Sequence, residues 1–298
     1  MPDLFRTRNA AMREVLQTVE KVLDHDVSIL ILGESGVGKD YLAESIHACS
    51  ARRGEPFVHV DCASIPHELF ESELFGYERG TFTDAQSRKL GKLELAQRGT
   101  VYFDEIAALT PPLQAKLLRA IEERRFTRLG GHQPLAFEAR VVSSSNADMP
   151  ALLASGAFRR DLFYRINVVT ITLPPLRDRK EDILPLAKSF AAKRTIDAGA
   201  KRLLQAHTWP GNIRELRNAV DRAALLTDGA ITETALPLSA PADMIPIAAR
   251  AAWTLEELES RYIREILRQT HSNYSQAAKI LGINRKTLLE KRRKYQIE

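Results

Sequence analysis

The chain has 298 residues, 44% of them hydrophobic and 27% charged, which is enough apolar material for two or three packed domains and excludes disorder as the main state. Two cysteines exclude a disulfide scaffold, and the early apolar run Val27–Leu32 is far short of the roughly 20 residues a bilayer span needs. The net charge is +5, and from Arg250 onward there are 11 Lys+Arg against 6 Asp+Glu, so the whole surplus sits in the last sixth of the chain. Such a local basic excess suits nucleic acid or a solvated basic tail.

The N-terminus MPDLFRTRNAAM carries no apolar signal-peptide core, so the expected setting is a reducing cytoplasm. His47, Cys49, His59 and Cys62 are close in sequence but match no familiar zinc spacing. In chain order, short apolar runs predict strands at 27–32, 57–61, 100–103, 139–145 and 168–173. Amphipathic stretches between them predict helices at 9–23, 39–52, 112–124 and 149–154. Strands separated by helices imply an α/β fold with a mostly parallel sheet. After Pro174-Pro175 no strand is apparent, and helices are expected near 180–196, 212–227 and 232–236. The Ala/Pro-rich stretch 237–252 reads as a linker. Three or four helices are expected in 254–298.

The first chemical signal is Gly33-Glu34-Ser35-Gly36-Val37-Gly38-Lys39-Asp40, after a buried strand and at the start of a helix. Glycines let backbone N–H groups curl around phosphate oxygens, and the helix N-terminus adds its dipole. Lys39 would reach the β- and γ-phosphates. Asp40 stands where the usual hydroxyl residue would ligate Mg²⁺. Alone, the segment is also compatible with a plain turn. The second signal is the strand Thr100-Val101-Tyr102-Phe103 ending in Asp104-Glu105. Asp104 is placed to hold Mg²⁺, directly or through water, and Glu105 to polarise an attacking water. Asn146, at the end of 140–146, could orient water or sense a γ-phosphate, or be a turn residue.

The C-terminal segment has its own logic. Apolar residues at 255, 258, 262, 263, 266 and 267 have helical spacing, and Thr254 with Glu257 has capping-box spacing. A short helix ending at Gly282 is followed by a basic one, which is a helix-turn-helix arrangement. Asn284, Arg285, Lys286 and Thr287 would lie nearest base edges in double-stranded DNA, and Arg292, Arg293 and Lys294 nearest phosphates.

These residues resemble the AAA+ ATPases, and more closely the bacterial enhancer-binding proteins that activate sigma-54 RNA polymerase. The landmarks are Glu73–Ala85 (ELFGYERGTFTDA), Phe158–Val168 (FRRDLFYRINV), Leu173–Arg179 (LPPLRDR) and Trp209–Leu216 (WPGNIREL). The resemblance implies an α/β AAA+ P-loop core at 1–175, a small α-helical lid at 176–236, a linker at 237–253 and a Fis-type helix-turn-helix domain at 254–298. It implies ATP at Gly33–Asp40, Mg²⁺ at Asp104, catalysis by Asp104 and Glu105, and Asn146 as a sensor. It implies that Arg159 and Arg165 are arginine fingers reaching a neighbouring subunit of a homo-oligomeric, hexameric ring. By themselves these arginines could equally form surface ion pairs. Arg214 looks like the second sensor, contacting nucleotide from the lid. Asp61 falls where the family often has an Asn that restrains the catalytic glutamate.

The segment Gly80-Thr-Phe-Thr-Asp-Ala85 is similar to the family's sigma-contact loop, Gly-Ala-Phe-Thr-Gly-Ala. Phe82 and Thr83 are retained as implied sigma contacts, while Thr81 and Asp84 depart. The implied function is an ATP-hydrolysing activator that remodels sigma-54 polymerase closed complexes. The alternatives are a DNA-binding repressor, a regulator of another polymerase form, and an AAA+ remodelling enzyme without a promoter role. Only a few residues precede the ATPase segment, which is expected of a chain regulated in trans by a partner protein or of a piece of a longer protein.

Overall fold

The computed structural model describes residues 7–82, 86–238, 253–270, 273–295 and 297. Two compact units are present, one ending at Leu238 and one beginning at Ser239. Among the described residues no helix is long and apolar enough to cross a membrane.

In the first unit, α1 (Ala10–Val22) starts at Asn9, whose side chain accepts from the Met12 amide. β1 (Ile29–Leu32), α2 (Lys39–Cys49), β2 (Phe57–Asp61) and α3 (His67–Phe75) follow. Next come a small hairpin of β3 (Gly76–Tyr77) and β4 (Lys89–Leu90), then α4 (Lys92–Leu95) and β5 (Thr100–Asp104). α5 (Pro111–Glu123) leads into a second small hairpin, β6 (Arg125–Phe126) with β7 (Leu135–Ala136). β8 (Arg140–Ser145), α6 (Met149–Ser155), α7 (Arg160–Ile166) and β9 (Val169–Thr172) complete the α/β part. All five anticipated strands form one parallel sheet, ordered β2-β5-β8-β1-β9.

Period-2 alternation divides the side chains between the two faces of this sheet. Leu30, Val60, Val101, Phe103 and Val141 pack on one side with α3, α5 and α7. Ile29, Ile31, Tyr102, Val142 and Ile171 pack on the other with α1 and α2. The chain leaves β1 for β2 at the far edge, so strand order reverses around β1. The carboxyl end of β1 is therefore a switch point, where α/β sheets bind ligands.

The lid comprises α8 (Ile183–Phe190), α9 (Ala198–Ala206) and α10 (Asn212–Leu226). Trp209 and Leu216 are fully buried in its core, and Trp209 Nε1 donates to the Leu204 carbonyl at 2.9 Å. The helix expected over 180–196 is shorter. Lys180–Asp182 is a 3₁₀ turn, and Ala192 (φ 47°) and Lys193 (φ 68°) end the helical path. The stretch expected as a helix at 232–236 is a 3₁₀ turn, Glu233–Ala235.

The second unit holds α11 (Leu255–Gln269), α12 (Tyr274–Leu281) and α13 (Arg285–Lys294). The Thr254–Glu257 capping box is formed. Gly282 terminates α12 in the left-handed region at φ 67°, which turns the chain into α13. Ile263, Ile266, Leu267, Ala277 and Leu288 make the core.

Candidate functional site: a phosphate loop between the sheet and the lid

The loop Gly33–Gly38 joins β1 to α2 at the switch point. Gly36 has φ 75°, and a Cβ there would lie 2.4 Å from the Gly211 carbonyl oxygen. The lid backbone thus rests directly on the loop. The Ile213 and Arg214 amides both donate to Gly36 O, at 2.9 and 3.3 Å. From the buried side, Arg179 Nη2 donates to Val37 O at 2.8 Å.

Lys39 is only 6% exposed. Its Nζ donates to the carbonyls of Gly33 (3.1 Å) and Glu34 (3.5 Å) and pairs with Glu105 Oε1 at 3.1 Å. Glu105 itself has φ 51°, a left-handed conformation that directs it off the end of β5. Its amide donates to Ser144 Oγ, and its Oε2 accepts from the Asn146 amide at 2.9 Å. Asn146 lies one residue beyond β8 and meets the site through its backbone.

Asp104 Oδ1 accepts from Ser144 Oγ at 2.5 Å. Tyr102 OH lies 2.8 Å from Asp40 Oδ1 and 3.1 Å from Asp104 Oδ1. One phenolic proton is therefore set between two carboxylates. Burial, together with those carboxylates, holds the phenol's pKa above its ordinary value, so the proton stays in place. Two carboxylates joined through one hydroxyl form an all-oxygen donor set, which fits a hard divalent cation such as Mg²⁺. In the sequence Tyr102 stands only as part of the apolar strand that ends in Asp104.

Lys39, Asp40, Asp104, Glu105 and Arg214 line one cleft of about 350 Å³, together with Ser35, Gly36 and Gly38. Arg214 Nη1 donates to Ser35 Oγ at 3.0 Å. Glu34, expected among the nucleotide contacts, instead sends its side chain to Arg177 and Asn212. These two partners hold its carboxyl below the usual carboxylate range, Arg177 contributing more. Asp61 accepts from the Ala63 and Ser64 amides at 3.0 Å each, and the hydrogen-bond and ion-pair partners of the Glu105 side chain are Lys39 and Asn146. His47, Cys49, His59 and Cys62 form no candidate metal group among the described residues, and His47 Nδ1 bonds Thr100 Oγ1 at 3.0 Å.

Arg159 and Arg165 lie outside that cleft. Arg159 caps α7 and grips Asp161 through two bonds, at 3.0 and 2.6 Å. Arg165 lies on α7 with Nη2 at 3.4 Å from the Ile121 carbonyl. Both are exposed. On the outer loop, Phe82 is 45% exposed and packs edge-on against Tyr77 at 4.7 Å. Thr81 Oγ1 reaches the carbonyls of Glu78 (2.6 Å) and Leu129 (3.0 Å). Thr83, Asp84 and Ala85 lie outside the described residues.

In the second unit Asn284 caps α13, with Oδ1 accepting from the Thr287 amide (2.8 Å) and hydroxyl (3.0 Å). The expected base-reading side chains Asn284 and Thr287 are thus engaged in starting the helix, while Arg285 and Lys286 beside them are exposed. Arg292, expected at phosphates, donates to the Ile297 carbonyl at 2.9 Å and lies over the Tyr274 ring. Arg293 is exposed. Lys291 pairs with Glu259 at 2.7 Å and Lys294 with Glu256 at 2.5 Å.

Comparison with known families gives three consecutive matches. They are the Sigma-54 interaction domain over residues 5–172, the AAA+ ATPase lid domain over 177–243, and the Fis family of bacterial regulatory proteins over 254–295. The chain is 42% identical to the transcriptional regulatory protein FlbD of Caulobacter vibrioides, over 97% of this chain and 69% of that protein. It is 40% identical to the regulatory protein AtoC of Escherichia coli, over 98% of this chain and 68% of that protein. A crystal structure of NtrX from Brucella abortus in complex with ATP superposes with a TM-score of 0.71 at 35% identity, covering 97% of this chain and 68% of that one. The chain therefore belongs to the bacterial sigma-54-dependent transcriptional activators, with an AAA+ ATPase domain, its lid and a Fis-family DNA-binding domain.

Proposed function

We propose that the cleft between β1, β5 and α10 binds ATP with Mg²⁺ and hydrolyses it, and that turnover in a homo-oligomeric ring, a hexamer, opens promoters held closed by sigma-54 RNA polymerase. The observation that carries the reading is the convergence of Lys39, Asp40, Asp104, Glu105 and Arg214 on one cleft. Lys39 supplies a buried cation for β- and γ-phosphate oxygens. Glu105, held by the Asn146 amide, orients and polarises water. Asp104 and Asp40 would hold Mg²⁺, which supplies charge neutralisation for phosphoryl transfer. Arg214 reaches the same phosphates from the lid.

Arg159 and Arg165 point to the ring. A guanidinium stays charged and can bridge two phosphate oxygens, so it suits a transition state. Arg159 at the N-cap of α7 and Arg165 on it lie outside this chain's own cleft, and a neighbour's cleft is where they would act. Head-to-tail contact of that kind makes a ring when its rotation closes, which is the assembly proposed. Phe82 and Thr83 form the proposed sigma contact, and Arg285, Lys286 and Arg293 the proposed DNA contacts. A trans-acting regulatory protein is a further proposed partner, and the cytoplasm the proposed setting.

The test is ATP-dependent open-complex formation on a sigma-54 promoter with purified sigma-54 polymerase. ATP hydrolysis is measured in the same samples, with wild type beside Thr83→Ala. Opening by the wild type, lost in Thr83→Ala with hydrolysis within about twofold of wild type, is the expected result. Hydrolysis by the wild type without opening would replace this reading with a repressor or a regulator of another polymerase form.

A further inference from the structure

The second residue of the phosphate loop is a carboxylate. A negative side chain there opposes a polyphosphate unless it is turned away or neutralised. Both conditions are met. Arg177, in the turn that enters the lid, donates Nη1 to Glu34 Oε2 at 2.8 Å and Nη2 to Oε1 at 2.6 Å. This bidentate fork fixes direction as well as distance. Asn212, the first residue of α10, adds a bond from Nδ2 to Glu34 Oε2 at 3.1 Å.

Asn212 is the fixed point of this arrangement. It is 0% exposed and has φ 53°, a conformation Asn tolerates better than most residues. Its Oδ1 accepts from the Leu176 amide at 2.7 Å, next to Arg177. Its Nδ2 also donates to the Ser35 carbonyl at 3.1 Å. One buried amide thus ties the Arg177 segment and the phosphate loop to the same helix.

We infer that Arg177 is a positioning residue for nucleotide: with Asn212 it turns Glu34 away from the phosphates and cancels its charge, so that the lid sets how much negative charge the phosphate loop presents to ATP. This rests on the ATPase reading of the cleft. A lid movement that parts Arg177 from Glu34 would expose the carboxylate and favour release of the polyanion. The effect is a charge effect on a pair that is about half exposed, at 45% and 43%. It is therefore modest and screened by salt, but its sign pattern is distinctive.

The experiment measures binding of N-methylanthraniloyl-ATP and -ADP to the full chain and to three variants, Arg177→Ala, Glu34→Gln and the double substitution. Arg177→Ala is expected to weaken ATP about fivefold and ADP, with one charge fewer, about twofold. In steady state its KM for ATP rises with little change in kcat. Glu34→Gln is expected to bind ATP at least as well as wild type. The double variant recovers most of the affinity that Arg177→Ala loses. If the pair served only to dock the lid, Glu34→Gln would weaken binding and the double variant would be no tighter than Arg177→Ala. That result, or wild-type affinity in Arg177→Ala, overturns the inference while leaving the ATPase reading intact. Absence of ATP binding by the wild type overturns both. Arg177→Gln, with its shape nearer to Arg, answers the same question if the Ala variant unfolds early.

Discussion

Glu105→Gln is expected to bind ATP within a few-fold of wild type and to hydrolyse it at least about a hundredfold more slowly, since a positioned general base contributes on the order of 10²–10⁴. The geometry favours a clean separation of binding from chemistry. A glutamine keeps the length of the side chain, and its carbonyl can still accept from the Asn146 amide, as Glu105 Oε2 does at 2.9 Å. The left-handed turn at Glu105 and the bond from its amide to Ser144 Oγ do not depend on the side-chain charge. What is lost is the negative charge that would polarise water. Fluorescent-nucleotide titration beside single-turnover hydrolysis checks this. Wild-type turnover would remove Glu105 from the proposed chemistry.

Lys39→Ala is expected to lose ATP binding by about a hundredfold or more. Two charge-assisted hydrogen bonds to phosphate oxygens, at roughly 1.5–3 kcal/mol each, amount to at least that factor. Lys39 already reaches over the loop to the carbonyls of Gly33 and Glu34, so its ammonium is held where a phosphate would be cradled. The substitution also strands Glu105 Oε1, whose salt-bridge partner is Lys39. Titration with the same fluorescent nucleotide tests it, and unchanged affinity would defeat the site assignment.

In the central sheet β1 was legible as the continuous apolar run Ile29–Leu32 closed by Gly33, and the other four strands as short stretches rich in Val, Ile, Phe or Thr. The two-residue strands β3, β4, β6 and β7 were not, since a pair of residues carries no period. Helices α3, α4, α7 and α9, of 9, 4, 7 and 9 residues, are likewise short for a 3.6-residue pattern to declare itself. The break after α8 comes from Ala192 and Lys193 at positive φ, in residue types that give no turn signal.

In the site, Lys39, Asp104 and Glu105 could be placed because loop and strand-end motifs are local. Tyr102 could have been found from the same strand. Residues 102 and 104 point to one face, so a phenol two residues before Asp104 must lie beside its carboxylate. Arg177 and Asn212 could not, because they meet Glu34 across 143 and 178 residues of sequence. Only the folded lid brings them together.

The ion pairs inside the second unit bear on how tightly it can hold DNA as salt is raised. α13 carries six basic residues, Arg285, Lys286, Lys291, Arg292, Arg293 and Lys294. Two of them, Lys291 and Lys294, are matched by Glu259 and Glu256 of α11. Each phosphate a cation contacts releases condensed counterions and steepens the logarithmic fall of affinity with salt by about 0.9. Counting the helix alone suggests a slope near six such contacts per copy, whereas four of its cations are without an ion pair among the described residues. The acidic face of α11 thereby trades indiscriminate attraction to any duplex for a weaker electrostatic background, against which contacts at base edges weigh more.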